Sequence, residues 1–196
     1  ISPFRTSDIA FNNTLTFDNY IDEYFNKRFG LNKYIYTVNG REALNISLRN
    51  YQLQKDDIVT IFTTSGNYYI SNCVTDEINK FCNWSRKVER RTKVILVNHE
   101  FGYPYSDLAN LKKNGFPIIE DCAHSFFLSE KFTEIGSMSD FTLYSFPKMF
   151  PLQIGGLLVK NRKPRITDNS IINAAELRYI KNILSYYIKF KDELIE

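Results

Sequence analysis

No stretch of this sequence approaches the roughly 18 consecutive apolar residues of a membrane-spanning helix, so no such helix is expected. Cysteine is scarce. Cys73, Cys82 and Cys122 are an odd number of thiols at spacings that match no zinc pattern. They read as reduced, mostly structural thiols of a cytoplasmic protein. Histidine is scarcer still: His99 and His124 stand alone, with no cysteine or carboxylate at ligand spacing, so no metal site is expected. A surplus of one charge is also missing. The 25 Lys and Arg exceed the 22 Asp and Glu by only three, too few to argue for nucleic acid or an anionic membrane as a partner. Residues 1–8 lack the charged-then-apolar layout of a signal segment, and no internal repeat or low-complexity tract is present.

What is present is an ordinary globular composition with many rings. Hydrophobic residues make up 43% and charged residues 24%, so a buried core is expected; aromatics reach 15%, which suits a thick core, an interface or a stacking pocket. A length of 196 residues fits one domain, or one domain with an appendage. The periodicity predicts helices over residues 16–29, 41–51, 72–84, 106–114 and 171–194. It predicts strands over 34–38, 58–62, 94–97, 117–120, 141–145 and 156–159, with a charged link at 87–93 and a polar loop at 162–169. Strands alternating with helices imply an α/β fold with a mainly parallel sheet, whose ligands bind beyond the carboxyl ends of the strands.

The polar residues Asn39, His99, Asp121 and Ser145 all fall at or just after predicted strand ends. Asp121 closes the apolar run 117–119. A carboxylate there needs a cation or donors, which could mean a helix cap, a buried ion pair or a protonated ring nitrogen. Lys148 lies among Phe146, Pro147, Met149 and Phe150. Such surroundings favour a neutral, nucleophilic amine, although a lysine reaching out of a loop would read the same way. The turn Asn39-Gly40-Arg41 opens a helix whose first amides could bind a phosphate, with Ser145 adding a hydroxyl. Tyr69 could stack on a flat ring or pack in the core.

In order, these segments resemble the DegT/DnrJ/EryC1/StrS family of nucleotide-sugar aminotransferases that depend on pyridoxal 5'-phosphate (PLP). Asn39-Gly40-Arg41-Glu42-Ala43-Leu44 is similar to the family's Ser-Gly-Thr-Ala-Ala-Leu turn. His99-Glu100-Phe101-Gly102 is similar to its His-x-x-Gly turn, and Ile119-Glu120-Asp121-Cys122-Ala123-His124 to its Ile-Glu-Asp-x-Ala-Gln segment. Residues 136–146 resemble its Gly-Ser-x-Gly-Asp-x-x-x-x-Ser-Phe run, and Lys148 with Gly155-Gly156 matches the lysine and double glycine of some members. The likeness spans roughly residues 17–160.

The resemblance implies a three-layer α/β sheet like the large domain of fold-type I PLP-dependent transferases, with the small C-terminal domain reduced or missing. Residues 1–160 would be the PLP-binding core and 161–196 a C-terminal loop and amphipathic helix. Lys148 would be the Schiff-base lysine and Asp121 the partner of the pyridine nitrogen. Gly40, Arg41 and Ser145 would hold phosphate, Tyr69 (or its neighbour Tyr68) would lie on the ring, and His124 would stand where the family's Gln meets the ring hydroxyl. The implied reaction moves an amino group from an amino-acid donor, glutamate by family analogy, to a keto sugar on a nucleotide. A cytoplasmic homodimer is implied by analogy, with neither nucleic acid nor membrane as partner. Several features depart from the family. Its members are about twice as long, and Ser145 and Lys148 are closer together here. Arg41 replaces the turn's Thr, and Met149 the Asn after the lysine. A catalytically degenerate relative serving as an interaction subunit, and an unrelated α/β nucleotide-binding module, are the alternatives. The module would leave Asp121 and Lys148 far apart.

Overall fold

A computed structural model describes residues 5–127, 135–162 and 170–193, with the backbone alone for residues 192 and 193. The elements in chain order are α1 (Thr6–Asn12), α2 (Tyr20–Phe29), β1 (Tyr34–Thr37), α3 (Gly40–Arg49), β2 (Ile58–Thr63), α4 (Asn72–Asn79), β3 (Asn83–Ser85), β4 (Thr92–Asn98), α5 (Leu108–Lys113), β5 (Ile118–Asp121), β6 (Phe141–Ser145), β7 (Gly156–Lys160) and α6 (Ala174–Glu193). Among the described residues, seven strands form one sheet in the order β1-β7-β6-β5-β4-β2-β3. β2 to β6 run parallel to one another, and β7 is antiparallel to both of its neighbours, β1 and β6. The mainly parallel α/β sheet expected from the sequence is therefore what the chain forms.

Strand alternation divides the buried side chains between two faces. Val94 and Leu96 of β4, Ile119 of β5, Phe141 and Leu143 of β6 and Leu158 of β7 pack under α3 and α4 with Ala43, Leu44, Ile46, Leu48 and Ile78. On the other face, Ile95, Val97 and Ile118 meet Leu108 and Leu111 of α5. Farther along that face, Tyr144, Leu157 and Val159 meet α2 and α6 through Ile21, Phe25, Ile180, Ile183, Leu184 and Ile188. The result is three layers. Much of the high aromatic content is spent in this second face, where the Phe25 ring lies 5.4–6.2 Å from those of Tyr34, Tyr36, Phe126 and Phe146. Burying each such side chain stabilises the fold by about 1.5–3 kcal/mol.

Three elements differ from the sequence reading, each for a local reason. The helix expected from residue 16 starts at Tyr20, because the Asp18 carboxylate takes the Tyr20 amide and the Ser185 hydroxyl takes that of Ile21. The helix expected over 72–84 stops at Asn79, and Asn83–Ser85 instead pairs with Ile58–Thr60 as an edge strand. Phe81 and Cys82, which continued the helical spacing, still pack against the core under α3 and α4. α1 was not anticipated; its Asn12 side chain is buried and donates to the carbonyl of Pro151, 2.5 Å away. The polar loop expected at 162–169 lies, except for Arg162, outside the described residues. No helix among the described residues is long and apolar enough to cross a membrane.

Candidate active site

A cavity of about 260 Å³ lies at the carboxyl ends of the parallel strands. Asn39, Gly40, Arg41, Asn98, Asp121, His124, Ser145 and Lys148 line it, with Ser71, Cys73 and Val74 from the start of α4. Asp121 and Lys148 are thus brought to one cavity, as the resemblance required and the unrelated nucleotide module did not.

Register explains which strand-end residues reach it. Asn98 pairs with Asp121, and Asp121 with Leu143. Each is an even number of residues from a side chain under α3 and α4, so Asn98 and Asp121 share that face. His99 and Glu120 belong to the opposite one. The sequence reading singled out His99; the cavity-lining residue is its neighbour Asn98, whose Nδ2 donates to Asp121 Oδ2 at 3.4 Å. Strand parity was the signal that could have found it.

His99 and Glu120 do other work. The Tyr105 amide donates to His99 Nδ1 at 3.1 Å, so the ring proton sits on Nε2 and donates to Glu120 at 3.0 Å. Glu120 also accepts the amides of Gly136 and Ser139, at 2.8 and 3.2 Å, which fastens the approach to β6 beneath the site. His99, Glu120 and Cys122 have ligand-capable atoms within 4.8 Å of one another. The sequence places no cysteine or carboxylate at ligand spacing from His99; tertiary structure brings both close, and hydrogen bonds already engage the imidazole and carboxylate.

Asp121 is 5% exposed. Its Oδ1 accepts the Ala123 amide at 2.9 Å. Burial raises its pKa, opposed by that hydrogen bond and by the Lys148 charge. A carboxylate held this way gains most when a cation enters beside it. Lys148 ends a single 3-10 turn, Phe146–Lys148, that follows β6 directly. Phe146 and Phe150 bury their rings in the aromatic core, and Lys148 between them is exposed at the cavity. The apolar neighbours noted in the sequence therefore pack away from the lysine. His124, half-buried beside the Phe101 ring at 5.2 Å, has its pKa lowered by burial and then by the Lys148 charge.

The opposite wall is the start of α3. The Asn39 side chain accepts the Glu42 amide at 3.0 Å, and the Asn39 carbonyl that of Ala43. The amides of Gly40 and Arg41 are the other donors of this first turn. A Cβ at Gly40 would lie 3.1 Å from Ser145 Cβ, so the absence of a side chain lets this turn close on β6. At Gly156, a Cβ would lie 2.7 Å from the Asn39 carbonyl carbon; only glycine lets β7 pass so close beneath the turn. Tyr69 and Tyr68 are 75% and 78% exposed and are not among the cavity-lining residues. The set as a whole offers amide donors for an anion, a buried carboxylate for a cationic ring atom, and an amine.

A family model described as "Putative PLP-dependent aminotransferase" matches residues 21–195. The GDP-perosamine synthase of Escherichia coli O157:H7 is 28% identical over 170 residues, covering 74% of this chain and 46% of the relative. Solved aminotransferase structures share the fold, two of them as follows. The Bacillus subtilis protein NtdA, with bound cofactor PMP, has a TM-score of 0.64 at 16% identity over 92% of this chain and 51% of its own. A DegT DnrJ EryC1 StrS aminotransferase from Brucella abortus has a TM-score of 0.62 at 16% identity over 93% and 62%. The chain spans about half the length of the curated relative that it matches.

Proposed function

The chain belongs to the PLP-dependent aminotransferase family, and from that membership we propose that it carries an active site for moving an amino group from an amino acid to a keto sugar on a nucleotide. The observation that carries this reading is that Asp121, Lys148 and the opening turn of α3 line one cavity. The likeness to a GDP-perosamine synthase supports a nucleotide-linked sugar as the substrate class. Glutamate remains the expected donor, and a homodimer the expected assembly.

The residues fit the cofactor. Asp121 would hold the pyridine nitrogen; its buried carboxylate, already supplied with two donors, gains from a cation that balances its charge. Gly40, Arg41 and Ser145 would hold the phosphate at the start of α3, where amides and helix dipole favour an anion. Lys148 would carry the cofactor's aldehyde carbon, and His124 would face the ring hydroxyl. When bound, PLP supplies the electron sink that makes the donor's α-carbon acidic. Asp121 keeps a proton on the ring nitrogen by its negative charge. The Lys148 amine, exposed at the cavity, is the group that takes up and returns the α-carbon proton. Asn98 orients Asp121 from the neighbouring strand.

The test is to incubate the protein with PLP, reduce with borohydride, digest, and locate the pyridoxyl group by mass spectrometry, with Lys148→Ala as control. An adduct on Lys148 that is absent from the variant is the expected result. Adducts scattered over surface lysines, or none, would overturn the reading for this chain and leave the degenerate interaction subunit.

A further inference from the structure

Glu42 carries more hydrogen bonds than a helix cap requires. In a capping box, the third helical residue reaches back to the amide of the cap residue. Glu42 reaches one residue farther, to the Val38 amide at 2.6 Å, while its own amide is held by Asn39. Its carboxylate also accepts the Ile171 amide at 2.6 Å and the Ser170 hydroxyl, which lies 3.0 and 3.1 Å from its two oxygens. Ser170 Oγ then accepts the Ile172 amide at 3.2 Å. One side chain therefore joins the end of β1, the first turn of α3 and the approach to α6, across 128 positions of sequence.

The position of this clasp gives it a consequence. Glu42 follows Gly40 and Arg41, which line the active-site cavity, but does not line it; it lines an adjoining groove with Asn45, Arg49 and Ile171, which shares Asn39 and Arg41 with the cavity. Glu42 is thus outside the reacting centre while fixing the backbone of the turn that borders it. A carboxylate at a helix N-terminus is favoured by the dipole, yet a phosphate wants the same amides. By turning its oxygens towards Val38, Ser170 and Ile171, Glu42 leaves the amides of Gly40 and Arg41 to the cavity side.

We infer that Glu42 is a positioning residue whose carboxylate clasps residues 170–172 to the phosphate turn, so that docking of this segment and binding of a phosphate at Gly40 and Arg41 strengthen each other. The inference rests on the reading that α3 holds the cofactor phosphate. Such coupling is reciprocal: a phosphate that fixes the turn must also steady residues 170–172.

The full chain is titrated with PLP and, separately, with pyridoxal, which lacks the phosphate, for wild type, Glu42→Ala, Glu42→Gln and Ser170→Ala. Amide exchange is followed over residues 36–44 and 170–174. Losing the charge-assisted bonds is expected to weaken PLP about tenfold in Glu42→Ala while leaving pyridoxal within about twofold. Glu42→Gln, which keeps one acceptor oxygen, should fall between, and Ser170→Ala should lose severalfold. PLP should slow exchange at 170–174 in wild type but not in Glu42→Ala. Ser170 lies away from the core, so its variant decides the matter if Glu42→Ala fails to fold. Equal PLP affinity in wild type and variants, or equal losses for PLP and pyridoxal, would overturn the positioning role alone. No uptake of either aldehyde by wild type would overturn the proposed function, and the clasp's role with it.

Discussion

Glu120 and Asp121 are consecutive residues of one strand, and they serve opposite faces of the sheet. Asp121 meets Asn98 in the cavity, and Glu120 accepts from His99, Gly136 and Ser139 behind it. One carboxylate is left for a ligand, and the other is consumed by the scaffold.

That division costs stability when no cation is bound. Burial raises the Asp121 pKa above its ordinary 3.8. A raised folded-state pKa gives stability that is full below 3.8 and lost as pH rises through the folded value. Asp121→Asn is therefore expected to melt at least about 2 °C above the ligand-free wild type at pH 7. The gap should close near pH 3.8, and PLP binding should be lost. Thermal melts across pH check this; an Asn variant less stable at pH 7 would contradict it.

His124 has the opposite sign. Burial and Lys148 hold its pKa below 6.5, so its contribution is present above 6.5 and is lost as pH falls through the lowered value. His124→Gln should lose less stability than wild type on acidification below 6.5. Urea midpoints at several pH values measure it, and parallel curves for the two proteins would rule it out.

The closeness of Gly40 to Ser145 sets the spacing between the first turn of α3 and β6, where a phosphate is proposed to bind. Gly40→Ala places a methyl group 3.1 Å from Ser145 Cβ, tighter than ordinary contact. Alanine is also a better helix former, by up to about 1 kcal/mol. The expectation is an unchanged or slightly raised melting temperature with PLP affinity at least about fivefold weaker, because the cradle narrows while the helix does not suffer. Equilibrium titration with PLP, beside a melt, separates the two; undiminished affinity refutes the cradle.

The aromatic layer should respond as a packed core. Phe25 is fully buried, with its ring against those of Tyr24, Phe29, Tyr34, Tyr36, Phe126 and Phe146. Phe25→Ala is expected to cost about 3–5 kcal/mol in urea unfolding. A loss below about 1 kcal/mol would mean that the cluster relaxes around the gap.

Some of this was legible in the one-dimensional pattern. Short apolar runs marked every strand but β3, because a strand covered on both faces reads as a nearly continuous apolar run. The segments around Asn39, Asp121 and Lys148 carried the family's likeness, because a tight turn, a strand-end carboxylate and a lysine after a strand are local features. β3 was missed because its three residues become a strand only by pairing with β2, and α1 because a short helix is held by distant contacts such as Asn12 with Pro151.

The sequence by itself determined the alternation of strands and helices and the mainly parallel sheet, and it put forward Asp121 and Lys148 as candidates, since each of these rests on neighbours along the chain. Tertiary structure alone decided the rest. Strand register chose Asn98 over His99 for the cavity, and packing turned Phe146 and Phe150 inward and left Lys148 exposed there. Chain return brought Ser170 to Glu42 across 128 positions. Contacts between distant segments depend on how whole elements dock, and no local periodicity encodes that.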